Sequence, residues 1–254
     1  MKPRRFRWTV VLALLCLAPL TVPAPAGARE KPSSKKKHAR KRAKRKPRGF
    51  KIGPKSKTHY VVDAGSSRNQ ITFTSRAPRE TIKGVTKEAS GHLDLNPRKL
   101  ARAAGEFRVA WNTIDTGNPM RNQHMQSPPW VDARAHPEIV LSLSGIEGVR
   151  RKGKSGKVVK VRLVGTFAMN GVEKPIKIPA TLVYLKPDKA KKKSKVKEGI
   201  GIRASFDVAL ADFNIRGRRV GQAVAARQNV RVSLFLARQE AEENSEEEAV
   251  EASK

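Results

Sequence analysis

The sequence predicts an all-β domain of about eight antiparallel strands with one short helix, flanked by two segments that cannot fold. Three observations lead there. Apolar residues recur with period two in run after run between Tyr60 and Leu236, the spacing that places alternate side chains on one face of a strand. Turn dipeptides such as Asn170-Gly171 separate some of those runs, and this pair favours a tight hairpin. At both ends the composition swings to dense charge with almost no apolar residue, which leaves too little buried surface to offset the entropy of ordering.

In chain order, Tyr60 with Val62, Ile71 with Phe73, and the stretch over residues 82–95 read as the first strands. Asn96-Pro97 followed by residues 98–104 predicts the helix, with Asn96 as its cap and Pro97 at its first position. Phe107, Val109 and Trp111 then alternate with Arg108, Ala110 and Asn112, and Ile139, Leu141 and Leu143 follow. Val161, Leu163 and Phe167 alternate with Lys160, Arg162 and Thr166, and the Asn170-Gly171 hairpin leads into Ile176, Ile178, Leu182 and Tyr184. Ile202, Ala204, Phe206, Val208 and Leu210 form the next strand, and Val230, Val232, Leu234 and Leu236 the last. Alternation alone fits both a sandwich and a closed barrel. Strand lengths near about ten residues favour the barrel, and eight strands is a size that can hold one small ligand.

The ends suggest a compartment. Lys2, Arg4, Arg5 and Arg7 precede an apolar run over residues 8–20, and Ala26-Gly27-Ala28 offers a small-x-small cleavage site, so residues 1–28 read as an export signal. The rival is an uncleaved anchor, against which Pro19 and Pro23 interrupt the run short of the roughly 20 residues a membrane span needs. Cys16, the single cysteine, lies inside that signal, so the mature chain would have no disulfide. Leu15 before it argues against lipidation of Cys16. Residues 29–58 form a basic arm, residues 59–239 the folded domain, and residues 240–254 an acidic tail.

Five motifs in order add a family. Tyr60-Val61-Val62-Asp63 with Ile71-Thr72-Phe73 opens the domain, and the stretch from Asp115-Thr116-Gly117 through Arg121, Asn122 and His124 to Ser127 is followed by Pro137 and Ile139. Then come Gly165 to Pro175, Asp212-Phe213-Asn214-Ile215, and Val220-Gly221-Gln222-Ala223-Val224. Together they resemble the YceI-like family of lipid-binding proteins. The resemblance implies a lipocalin-like extended antiparallel barrel that holds a polyisoprenoid or similar long apolar molecule, periplasmic or secreted, with no catalytic group and no cofactor beyond the lipid. Asn122, Ala211, Asn214 and Gln222 depart from the Asp, Arg, Gly and Asp often found there, which puts in question any ion pair that closes this end of a family barrel.

The residues themselves offer no strong catalytic or metal site. His38, His59, His92, His124 and His136 lack metal-ligand spacing. His124, in the signature loop, is the best ligand candidate, and a hydrogen-bonded loop residue is the plainer reading. Asp115 and Asp212 could form a carboxylate pair, although capping a turn or pairing with Arg121 accounts for them more simply. The inward candidates for lipid contact are Phe73, Phe107, Val109, Trp111, Leu141, Leu163, Phe167, Ile178, Leu182, Phe206, Leu210 and Leu234.

The formal net charge of +32 supports a competing reading, an exported polyanion-binding protein with a solid barrel. An export signal and the lack of aromatics over residues 35–46 disfavour nucleic acid as that partner. An anionic membrane surface fits better, met by Arg150, Arg151, Lys152, Lys154, Lys189, Lys191, Lys192, Lys193 and Lys195 at hairpin tips expected on one end of the barrel. Solvated tips are an equal alternative. The oligomeric state, a dimer included, stays open.

Overall fold

The computed structural model describes residues 49–128, 130–149, 153–186 and 197–239. The export signal, most of the basic arm, the acidic tail, and the rim residues Arg150, Arg151, Lys152, Lys189, Lys191, Lys192, Lys193 and Lys195 lie outside them. In order the elements are β1 (Thr58–Val62), β2 (Gln70–Arg76), β3 (Thr81–Thr86), β4 (Ala89–Asn96), β5 (Lys99–Ala110), α1 (Pro119–Met125), β6 (Glu138–Glu147), β7 (Val158–Met169), β8 (Val172–Leu185), β9 (Gly199–Ala209) and β10 (Arg227–Arg238).

These strands close into an antiparallel barrel. β1 and β2 pair in succession with β10, through Val62 with Leu236 and Ile71 with Val232. On their other side, β4 pairs with β1 and β3 with β2. Each of these two couples fills one place in the ring. With β5 to β10 the result is an eight-place barrel in which neighbours in sequence are neighbours in space; β3 pairs with β2 alone, and its outer edge is met by the Val85–Asp115 bridge. Asn170 and Gly171 take φ of 50° and 74° at the β7–β8 turn, the left-handed conformations that a two-residue hairpin of this kind requires.

One element differs from its sequence prediction. Residues 98–104 are not helical: Pro97-Arg98 is the tip of the β4–β5 hairpin, and residues 99–104 open β5. The Asn96 side chain accepts from the Arg98 amide at 2.9 Å, the local bond with which Asn also nucleates turns. The α-helix lies at a second Asn-Pro pair: Asn118 caps α1 by accepting from the Arg121 amide at 3.1 Å, with Pro119 in the first turn.

The two ends of the barrel are unlike. At the end where β1, β5, β7 and β9 begin, Tyr60, Leu93, Leu95, Leu100, Tyr184, Ile200 and Leu236 fill the interior with no exposed surface. Phe50 packs beneath them, 2 % exposed, its ring centroid 5.7 Å from that of Tyr184. The Phe50 amide donates to the Pro97 carbonyl at 2.7 Å, and the Lys51 amide to that of Gly153 at 2.7 Å. The last stretch of the expected disordered arm thus packs against the barrel through Phe50 and Ile52, two side chains worth burying.

Burial pushes the Tyr60 hydroxyl up to about 12 and raises Tyr184 as well, with its bond to Glu198 adding to the effect. The unfolded chain would release these protons near the ordinary tyrosine value of about 10, before the folded one does. Stability should therefore hold below pH ~10 and fall as pH rises towards about 12. Tyr60→Phe should remove part of that alkaline loss in denaturation curves at neutral and alkaline pH, with little cost at neutral pH because the Tyr60 hydroxyl has no partner among the described residues.

Candidate functional site

Above this plug the barrel is hollow. A cavity of about 670 Å³ extends towards α1, within the range of roughly 300–1,000 Å³ common for small-molecule sites. Eleven of the twelve inward candidates line it: Phe73, Phe107, Val109, Trp111, Leu141, Leu163, Phe167, Ile178, Phe206, Leu210 and Leu234. Leu182 does not. It shares the inward face of β8 with Ile178 but is fully buried in the closed-end plug, because period two gives the face of a residue and not its depth along the barrel.

The wall is built by packing and by omission. Phe167 meets Phe206 and Phe213 edge-on, at centroid distances of 6.0 and 5.5 Å, an arrangement that aromatic quadrupoles favour. Gly84 stands opposite the Phe73 ring, where any Cβ would collide with it. Further lining from Ile71, Ala204, Val208, Val230 and Val232 follows the same alternation. Met125 at the end of α1 and Trp130, Val131 and Ile215 in connections line it too; strand alternation points to none of them, although Met125 and Ile215 lie within the family motifs.

Besides the buried Ser75, Thr86 and Gln228, the polar lining and all of its charge are at the mouth. There the signature loop folds over the opening and contributes Thr116, Asn118, Arg121 and His124, faced by Glu80 and Arg219. Asp115 caps a turn, accepting from the Gly117 amide at 2.8 Å and from the Asn122 side-chain amide at 2.9 Å. These bonds, that of Asn122 foremost, hold the Asp115 carboxyl below its ordinary value. Asn122 also accepts from the Thr116 amide at 2.9 Å and the Thr116 hydroxyl at 2.6 Å. The departure from Asp at Asn122 thus lets its neutral amide tie the loop together and donate to the Asp115 carboxylate, without two carboxylates facing each other. Asp115 also bonds backbone to backbone with Val85 at 2.8 and 2.9 Å, anchoring the loop to β3.

Arg121 does not pair with Asp115 or Asp212. Its partner is Glu80 in the β2–β3 turn, at 2.6 Å. The same turn is tied to the β9–β10 connection by the Arg79 amide donating to the Gln222 carbonyl at 3.3 Å. Arg121 therefore joins the helix to the opposite lip of the mouth. The His124 side chain is exposed, and among the described residues it makes no side-chain hydrogen bond, in contrast to the loop-ordering role read from sequence. Asp212 is exposed in the turn after β9 and forms no ion pair among the described residues.

No group of three or more potential metal-ligating side chains occurs among the described residues. On the outer wall, strand pairing brings together two histidines whose sequence spacing gave no hint of it. His59 and His92 stack at 5.2 Å, and His59 bonds Asp94 at 2.6 Å.

The closed-end plug, the hollow upper barrel and the strapped mouth can be set beside known proteins. A UPF0312 protein of Vibrio parahaemolyticus is 26 % identical over 162 residues, 61 % of this chain and 77 % of that protein. Protein YceI of Escherichia coli O157:H7 is 20 % identical over 168 residues, 66 % and 81 % of the two chains. Among solved structures, Burkholderia cenocepacia BcnA superposes with a TM-score of 0.55 at 16 % identity, covering 68 % of this chain and 98 % of its own. A polyisoprenoid binding domain from Saccharophagus degradans superposes with a TM-score of 0.53 at 12 % identity, covering 72 % and 100 %. At such identities the likeness is one of fold. The model of the YceI-like domain matches residues 60–237, nearly the whole barrel, and the chain belongs to the YceI-like family.

Proposed function

We propose that this chain is an exported, non-enzymatic carrier that holds one long apolar lipid, a polyisoprenoid or similar chain, inside the barrel. The observation that carries the reading is the cavity: about 670 Å³ lined mainly by aliphatic and aromatic side chains, with its charged groups at one opening. An amphiphile fits this division, its chain inside and its head at the mouth. Each buried methylene contributes about 0.8 kcal/mol, so tight binding needs no polar contact within. The relative from Saccharophagus degradans, described as a polyisoprenoid binding domain, supports this choice of ligand. The n-region and apolar run of residues 1–20 support export to the periplasm. A barrel with a solid core, the rival reading, is at odds with the hollow.

Native mass spectrometry of the purified protein, before and after solvent extraction, tests the proposal. A lipid-sized adduct lost on extraction is the expected result. A chain that stays at its bare mass even after incubation with polyprenol would refute it.

The lip contact yields its own prediction. Arg121→Ala removes a partly exposed ion pair, so stability should drop by no more than about 1 kcal/mol, while lipid transfer to acceptor vesicles should quicken. Glu80→Gln should reproduce the effect, since either change cuts the same strap. Unchanged transfer in both variants would show that the strap does not limit exit.

A further inference from the structure

We infer that the closed end of the barrel is an anionic-membrane contact surface, so that the protein docks with its mouth facing away from the bilayer. Four stretches meet at that end: residues 49–57, the β4–β5 hairpin tip, the β6–β7 connection and the end of β8. Contacts join them, with the Phe50 amide on the Pro97 carbonyl, the Lys51 amide on the Gly153 carbonyl and the Gly156 amide on the Tyr184 carbonyl. They present Lys51, Lys55, Lys99, Lys154, Lys157 and Lys186, all exposed.

Among the described residues none of these six lysines has an acidic partner, because the acids nearby are already committed. Asp94 is taken by His59 and Lys57, Glu147 by Lys177 and Arg162, and Glu198 by Arg238 and the Tyr184 hydroxyl. Like charges gathered without counter-charge raise the local potential, and an anionic surface relieves it. The mouth connections differ, since their arginines are interspersed with Glu80, Asp115, Asp132 and Asp212. The mouth carries Arg79, Arg121, Arg134, Arg216, Arg218 and Arg219 against those four carboxylates, so the barrel is polarised along its axis, with the larger excess of positive charge at the end opposite the opening.

Phospholipid headgroups fit this end better than nucleic acid does. Among the described residues no Phe, Tyr or Trp side chain is exposed there for bases to stack on, since Phe50 and Tyr184 are buried. Val158 beside Lys157 is 59 % exposed, a small apolar side chain suited to the headgroup boundary. Docking by this end would hold the carrier at a membrane while its mouth stays open to a partner or a second membrane. The contact does not depend on what the cavity holds, so its failure would leave the carrier reading standing.

The test uses the full chain with phosphatidylcholine vesicles, with and without phosphatidylglycerol. Replacing the six lysines by glutamine should weaken partitioning to the anionic vesicles at least about tenfold, since each basic group near such a surface contributes roughly fivefold, and the difference should fade as salt is raised. For orientation, nitroxide labels at Ser155→Cys and at Met120→Cys, each in a Cys16→Ser background, report the two ends. The Ser155 label should contact the bilayer and the Met120 label, at the mouth, should remain in water. Partitioning unchanged by the six substitutions would overturn the proposal. So would a bilayer-protected label at position 120, or binding to duplex DNA tighter than to the anionic vesicles and lost with the same lysines.

Discussion

In an Ala204→Trp variant, bound lipid is expected to fall at least about tenfold while the β-type circular dichroism spectrum and the denaturation midpoint stay near those of the parent. Ala204 lies on β9 and lines the cavity without being fully buried, so an indole there would extend into hollow space. The usual overpacking cost of about 1–3 kcal/mol should be largely avoided. Displacing even two methylenes of a bound chain removes about 1.6 kcal/mol, more than a factor of ten in affinity. Leu163→Trp and Phe206→Trp should also lower occupancy. At Leu163, which is nearly fully buried, the stability cost will be larger. Full lipid load in all three variants would mean that this face does not bound the binding space.

Leu182→Ala should do the reverse. Leu182 is fully buried in the plug and does not line the cavity, so its truncation should cost about 2–5 kcal/mol of stability and leave lipid bound per folded molecule unchanged. Urea denaturation combined with lipid quantification separates the two quantities. A Leu182→Ala protein that stays stable but loses its lipid would place the binding space deeper in the barrel than the structure has it.

The pair shows what could be read from the sequence. Period two assigned Ile178 and Leu182 to one face correctly, yet that rule has no information about depth, and only the packing of Phe50, Leu100 and Tyr184 below Leu182 tells plug from cavity. β5 was half hidden for a different reason. Ala101, Ala103 and Ala104 mute the contrast between apolar and polar positions, and alanine favours a helix, so the Asn96-Pro97 pair looked like a helix start. The same dipeptide at Asn118-Pro119 does start one. Local chemistry is alike at both sites, and what decides is the strand pairing of residues 99–110 with β4 and β6.

The Arg121–Glu80 strap was illegible because its partners lie 41 positions apart and meet only when the barrel closes. His59 and His92 come together in the same way, through the register of β1 on β4. The signature motif signalled that this loop matters, whereas its partner across the mouth is a product of topology.

The central claim, that a long apolar chain lies inside the barrel with its head at the mouth, is tested most directly by photo-crosslinking. A polyprenol carrying a diazirine near its tail would be bound, irradiated, and its attachment sites mapped by peptide mass spectrometry. The account predicts adducts on deep cavity residues such as Leu163, Ile178 and Leu234, suppressed in Ala204→Trp. Adducts confined to the outer wall, or unchanged in that variant, would contradict it.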